Sequence, residues 1–359
     1  MLLLGLLLSC DTRVPAAAAS SGDTSTAAEV IASQKAAPAQ PVDVIFDTDM
    51  DSDCDDVGAL AILHALADRG EARVLATVSS SQNPWTAPCI EVINTWYGRA
   101  DLPIGAPRGK GPALKSPYTR GVAESMPHKI KTTADAPDAM EVYRRVLEDA
   151  RDDTVVIIAV GTLTNLANLL ELPAEARHPS GPDLINRKVR FLACMGGNFV
   201  GSPARDDLKL GNHNFQTDRE ATLRTIPRWP RPLIFVGREI GSVPSRLKAG
   251  ARLAQTPAGN PVRLAYQLYF GGTVKDRHLA DPTTVLFAVR GLRDYWDIHA
   301  TGHMDLHPDL TFDWKDGPAG NQAYLLKRTV DGNPNDRYIE QTCEQLMIQA
   351  PRMAATTRP

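Results

Sequence analysis

The chain has 359 residues, 43% hydrophobic and 23% charged, enough for one large α/β domain or two small ones with a sizeable core. A formal charge of -3 gives no long-range attraction for nucleic acid or an anionic membrane surface, so the expected partner is a neutral small molecule. Cys54, Cys89, Cys194 and Cys343 are spaced too widely for a zinc site or a disulfide-dense scaffold and read as buried thiols.

The first ten residues, Met1-Leu-Leu-Leu-Gly-Leu-Leu-Leu-Ser9-Cys10, form an apolar run too short to span a bilayer. Leu7-Leu8-Ser9-Cys10 resembles a bacterial lipobox, although the usual basic residues before it are missing. That resemblance implies an exported protein, periplasmic or anchored to a membrane as a lipoprotein through a lipid on Cys10. Residues 11–40 are rich in Ala, Ser and Thr without a period and are expected to be a disordered linker. One domain is expected over residues 41–348, with 349–359 as a tail.

From Val42 onward, nearly continuous apolar runs predict strands at 42–47, 73–79, 154–160, 188–195 and 233–236. Between them, helical patterns cover 55–68, 87–97, 139–149, 163–170, 218–225, 261–269 and 283–290. The alternation predicts an α/β fold with an open, mostly parallel, Rossmann-like sheet flanked by helices. Residues 105–138 and 196–211 lack an apolar period and read as long loops, which are often functional in compact domains.

The first strand runs into Asp47-Thr-Asp49-Met-Asp51-Ser-Asp53-Cys-Asp55-Asp56, six aspartates in ten residues. Like charges so close raise one another's pKa unless something positive sits among them, so a bound divalent cation is the economical explanation. Oxygen-only ligands favour Ca²⁺ or Mg²⁺ over zinc. Helix capping and solvated charge explain one or two of these acids, not six beginning inside an apolar strand. An EF-hand frame fails, because counting from Asp47 its sixth and twelfth positions are Ser52 and Gly58. Asp47-Thr-Asp49 also resembles the start of a haloacid-dehalogenase Mg²⁺ phosphatase, but Met50 and Asp51 stand where Gly and Thr or Ser should follow.

The whole acidic run, with Val57-Gly-Ala-Leu60 after it, resembles the N-terminal signature of the inosine-uridine nucleoside hydrolase family. Further segments match in the family's order. They are Val160-Gly-Thr-Leu-Thr-Asn165, Met195-Gly-Gly197, Asn212-His-Asn214-Phe-Gln-Thr-Asp218 and Ala280-Asp281-Pro282. Together they cover nearly everything from Val42 to about Arg290.

The resemblance implies a Ca²⁺ ion at the pocket floor that holds the ribose 2′- and 3′-hydroxyls and the attacking water. Asp49, Asp56, the Val160 carbonyl and Asp281 would be its ligands, all hard oxygen donors. Asp49 would also be the general base. Asp55, Asn83, Asn214 and Asn212 would contact the sugar, and Asp47 would orient the site from behind. Asp51 and Asp53 read as peripheral, Asn165 as ordering its turn and Trp85 as packing. The implied activity is cleavage of a ribonucleoside or related ribosyl compound into base and sugar, by a protein that is commonly a homo-oligomer. A non-catalytic, metal-dependent sugar-binding module is the alternative from another class. Two positions depart from the family. Asn212 stands where a glutamate commonly meets the 5′ end of the ribose, and Ala280 where some members place a histidine that protonates the leaving base. Arg277, His278 and His213 are the nearby candidates for that proton.

Overall fold

A computed structural model describes residues 25–109, 111–199, 213–242, 247–317 and 320–352. The expected signal and Cys10 lie outside these residues. Among the described residues, no helix is long and apolar enough to cross a membrane.

The strands are β1 (Val42–Thr48), β2 (Ala72–Ser79), β3 (Ile104–Gly105), β4 (Val155–Ala159), β5 (Val189–Met195) and β6 (Leu233–Val236), then the short β7 (Lys248–Ala249) and β8 (Arg277–His278). After them come β9 (Trp296–Leu306), β10 (Phe312–Asp316) and β11 (Gln322–Lys327). One sheet has the order β10-β9-β11-β6-β5-β4-β1-β2-β3, and β7 pairs with β8 separately. From β6 to β3 every pairing is parallel, as the apolar runs predicted. β11 joins β6 in parallel, and β9 and β10 complete that edge antiparallel.

These last three strands were not predicted. β9 mixes Asp297, His299, His303 and Asp305 with its apolar residues, and β10 is largely exposed. Neither offers the unbroken apolar run of a strand covered on both faces.

Chain order turns back between β1 and β4, since β2 lies on the far side of β1. At such a switch point the loops leaving two adjacent parallel strands diverge and open a crevice at their C-terminal ends. The acidic run leaves β1 there, and Val160 leaves β4 beside it.

Two helices flank the first strand. The first, α1 (Ala27–Ser33), lies inside the stretch expected to be a linker. Thr26 and Glu29 form a capping box at its start, and Val30 and Ile31 are buried. The Gln34 carbonyl accepts from Leu292 N at 2.8 Å, so the chain is fastened to the domain well before residue 41. The second, α2 (Asp55–Asp68), is buried on all sides from Asp55 to Leu66, as a helix apolar all round should be. The helix Asp336–Met347 is the last element among the described residues.

Candidate active site

The crevice above β1 and β4 is a cavity of about 330 Å³. Its lining includes Asp49, Asp55, Asp56, Val160, Asn214 and Asp281. A larger cavity of about 670 Å³ opens at the other end of the strands among Arg73, Arg99 and Arg151. Of the two carboxylates there, Asp43 is clamped by Arg73, so the convergent chemistry belongs to the smaller cavity.

Local backbone sets up the acidic end. Met50 is buried at φ 40°, a left-handed conformation that turns the chain sharply after Asp49. The Thr48 hydroxyl donates to Asp56 Oδ1, and Met50 N donates to the same oxygen at 3.3 Å. The end of β1 is thereby tied to the first turn of α2, where Asp55 and Asp56 meet the positive helix end. Across the crevice, Gly161 lies so close that a Cβ there would sit 2.3 Å from Asp49 N. Only a glycine permits that approach.

Asp281 enters from more than 200 residues away. The helix carrying it spans Ala280–Arg290, beginning three residues before the expected 283. Leu279 takes the cap position, so Asp281 lies in the first turn with its side chain available to the cavity and its N–H 3.3 Å from Asp55 Oδ2. Asp55, Asp56 and Asp281 each bring a carboxylate oxygen to within 4.8 Å of the others. Burial first, then mutual repulsion, raises Asp49, Asp56 and Asp281 well above the usual carboxylate range. Three buried acids in that condition, with Asp55 beside them, fit a divalent cation held by oxygen donors.

The other acids have separate tasks. Asp47 faces away from the cavity, accepting from Tyr143 Oη at 2.7 Å and Asn165 Nδ2 at 3.1 Å. Burial pushes it up to about 7 against those two bonds. Asn165 also donates to the Ser79 carbonyl at 2.8 Å, so it orders its turn and holds Asp47 together. Asp51 is buried outside the cavity lining and accepts from the hydroxyls of Ser81 and Thr86. It pins the acidic loop to the loop after β2.

Asp53 is not peripheral. It lines the cavity and takes both arms of the Arg277 guanidinium, with His278 Nε2 at 3.0 Å. Burial pushes its carboxyl up, but His278 and Arg277 outweigh that and hold it well below its ordinary value. His278 Nδ1 lies 3.1 Å from Asp55 Oδ2, out of line for a hydrogen bond. Burial opposes charge on the imidazole, yet Asp55 and Asp53 prevail and raise it to about 10. A single imidazolium therefore bridges Asp53 and Asp55.

Of the expected sugar-binding asparagines, Asn214 lines the cavity, and its amide donates to the Val160 carbonyl at 2.7 Å. Asn83 is placed elsewhere. Its amide donates to the Leu114 carbonyl at 2.6 Å, in the loop of residues 105–138, and accepts from Trp85 N at 2.9 Å in its own turn, so both ends are spent away from the cavity. Trp85 packs under the Arg120 guanidinium. Asn212 lies outside the described residues. Tyr143, Tyr269 and Arg238 were missed by sequence reasoning, and a single Tyr or Arg in an amphipathic or loop segment carries no signal that could have found them. All four cysteines of the domain are buried and free, as expected.

An α/β crevice at a switch point, floored by carboxylates from two separate segments, suits an enzyme that holds a hard cation and acts on a small molecule. The sequence profile of the inosine-uridine preferring nucleoside hydrolases matches residues 44–331, and the chain belongs to that family, whose members are metal-dependent hydrolases of N-glycosyl compounds. No curated protein sequence matches it. Among solved structures, a plant nucleoside hydrolase, PpNRh1, is 20% identical with a TM-score of 0.59, covering 86% of this chain and 99% of its own. A purine-preferring ribonucleoside hydrolase from Gardnerella vaginalis is 13% identical with a TM-score of 0.62, covering 87% and 100%. An inosine-guanosine nucleoside hydrolase is 19% identical with a TM-score of 0.61, covering 85% and 98%. At these identities the likeness is one of fold. The dehalogenase alternative falls with the family match.

Proposed function

We propose that the protein cleaves the N-glycosidic bond of a ribonucleoside or related ribosyl compound, with Ca²⁺ held by Asp49, Asp56, Asp281 and the Val160 carbonyl. The observation that carries this reading is the convergence of buried, mutually repelling carboxylates on one cavity. When bound, the cation neutralises that charge and supplies Lewis acidity toward water and the sugar diol.

Asp49 stands at the cavity floor and takes the proton from the attacking water. The water oxygen bonds to the anomeric carbon, the C–N bond breaks, and its electron pair leaves with the base. The carboxylates around the sugar stabilise the oxocarbenium-like charge that develops on it. Asp55 accepts from a ribose hydroxyl, and Asp53, Arg277 and His278 hold Asp55 in place. Asn214 steadies the Val160 carbonyl and presents its amide to the sugar. Asp47, gripped by Tyr143 and Asn165, supports the strand end from behind.

The test is a turnover screen of inosine, uridine, guanosine and adenosine with and without chelator, restored by Ca²⁺ and compared with Mg²⁺. Release of ribose that depends on Ca²⁺ is the expected result. Ribose binding with no turnover across the panel would instead make this a non-catalytic binding module.

A further inference from the structure

One cation in the cavity wall has no task in the reaction described above. Four basic side chains line this cavity: His213, Arg238, Arg277 and His278. Arg277 forks onto Asp53 and lies over the Tyr269 ring, 5.1 Å from its centroid. His278 is held between Asp53 and Asp55. Arg238 is half-buried, and among the described residues its guanidinium makes no hydrogen bond or ion pair. Its backbone is fixed, with N donating to the Gly197 carbonyl at 3.0 Å and its own carbonyl accepting from Ser242 N at 2.8 Å. A planar fork of five N–H donors, anchored at its root and bonded to none of the described acceptors around it, suits an anionic ligand group that it can grip with two bonds.

Position says which group. Arg238 follows β6, which stands three strands from β1 in the order β6-β5-β4-β1. At the usual strand spacing that is about 14 Å. An arginine reaching inward from one end and the carboxylates at the other leave a gap that a pentose and one substituent fill. With the 2′,3′-diol at the carboxylate end and the base departing from the anomeric carbon, the 5′ carbon is the remaining place from which a substituent can meet Arg238.

We propose that Arg238 binds an anionic group on the 5′ carbon, so that the preferred substrates are phosphorylated ribosyl compounds of the ribonucleoside 5′-phosphate class. This rests on the nucleoside-hydrolase reading above. The step itself is unchanged: water adds to the anomeric carbon, the base leaves with the C–N electron pair and takes up a proton, and the phosphoryl group is retained on the released sugar. The competing account is that Arg238 merely offsets the charge of the acidic floor.

Calorimetry with the Ca²⁺-loaded protein separates these, using ribose and ribose 5-phosphate as ligands for the natural protein, Arg238→Gln and Arg238→Lys. Ca²⁺ affinity is titrated separately, and turnover of inosine is compared with that of inosine 5′-phosphate. Ribose 5-phosphate is expected to bind at least tenfold tighter than ribose, and that preference should fall below threefold in Arg238→Gln and be partly kept in Arg238→Lys. Equal binding of the two sugars, or an undiminished preference in Arg238→Gln, overturns the proposal. So does a gain of Ca²⁺ affinity in Arg238→Gln with the phosphate preference intact, which is the mark of simple charge compensation. An Arg238-dependent preference without turnover of either inosine compound refutes the hydrolase reading and leaves the anion assignment standing. Failure of both sugars to bind refutes both.

Discussion

Replacing Gly161 with alanine perturbs the site without touching any charged group. The added Cβ would lie 2.3 Å from Asp49 N, 2.6 Å from Ser80 Oγ and 2.9 Å from Asp49 Cβ. Contacts under 3.0 Å do not persist between real atoms, and two of these three are to the Asp49 residue itself. The strand ends must therefore part, by somewhat less than an ångström if the shift is shared between the β1 and β4 loops. Overpacking of this kind typically costs about 1–3 kcal/mol of stability. Displacing a general base by about 1 Å can lower the rate on the order of a hundredfold, equivalent to roughly 2.7 kcal/mol of barrier. The assay is kcat/KM on the best-hydrolysed substrate, with a denaturant melt beside it. The expected outcome is a drop of about two decades in kcat/KM in a protein that still unfolds cooperatively. Activity within threefold of the natural protein would show that the Gly161–Asp49 approach does not set the position of the base.

Asp56→Ala removes one of the clustered carboxylates and the acceptor of Thr48 and Met50, so metal affinity should fall at least about tenfold, read by Ca²⁺ titration. Unchanged Ca²⁺ stoichiometry and affinity would remove Asp56 from the ligand set. Asp49→Asn should lower kcat by roughly a hundredfold or more while ligand binding persists, and full activity would move the base elsewhere. A pH effect is expected far from the site, at His64 in the middle of α2. Burial first, and then Arg99, hold its imidazole down to about 3. Between pH 6.5 and 3 the unfolded chain binds a proton there that the folded chain refuses, so stability falls as pH falls through that window and is unaffected above it. The full loss is on the order of 3–5 kcal/mol by pH 3. Chemical denaturation of His64→Gln should show a shallower acid limb than the natural protein, and parallel curves would refute the assignment.

The parallel half of the sheet was legible because strands buried on both faces must be apolar throughout, and few other segments of this length are. The antiparallel edge was not, because β9 and β10 carry the mixed sequence that loops also carry and β11 is a short apolar run between Gln322 and Lys327. Helix α1 escaped for a different reason. Its seven residues have too short an apolar period to stand out, and its order comes from the contact of Gln34 with Leu292 and Gly291 across the domain. Such contacts are invisible to local patterning.

Within the site, the sequence disclosed residue types better than assignments. Six aspartates in ten residues announced a cation, but their spacing could not say which would face it, because the left-handed turn at Met50 breaks the two-residue alternation of an extended strand. Asp47 and Asp49, two apart and on either side of the strand end at Thr48, have opposite tasks: one is gripped from behind by Tyr143 and Asn165, the other lies on the cavity floor. Beyond the turn, Asp51 is absorbed by Ser81 and Thr86, whereas Asp53 reaches Arg277 and His278. Only the last of these pairings brings a positive charge into the lining of the acidic cavity. A bridge of Asp53, His278 and Asp55 gives Asp55 a counter-charge of its own, yet Asp55 still repels Asp281 and Asp56, and with Asp49 these are the acids whose repulsion a bound cation would relieve.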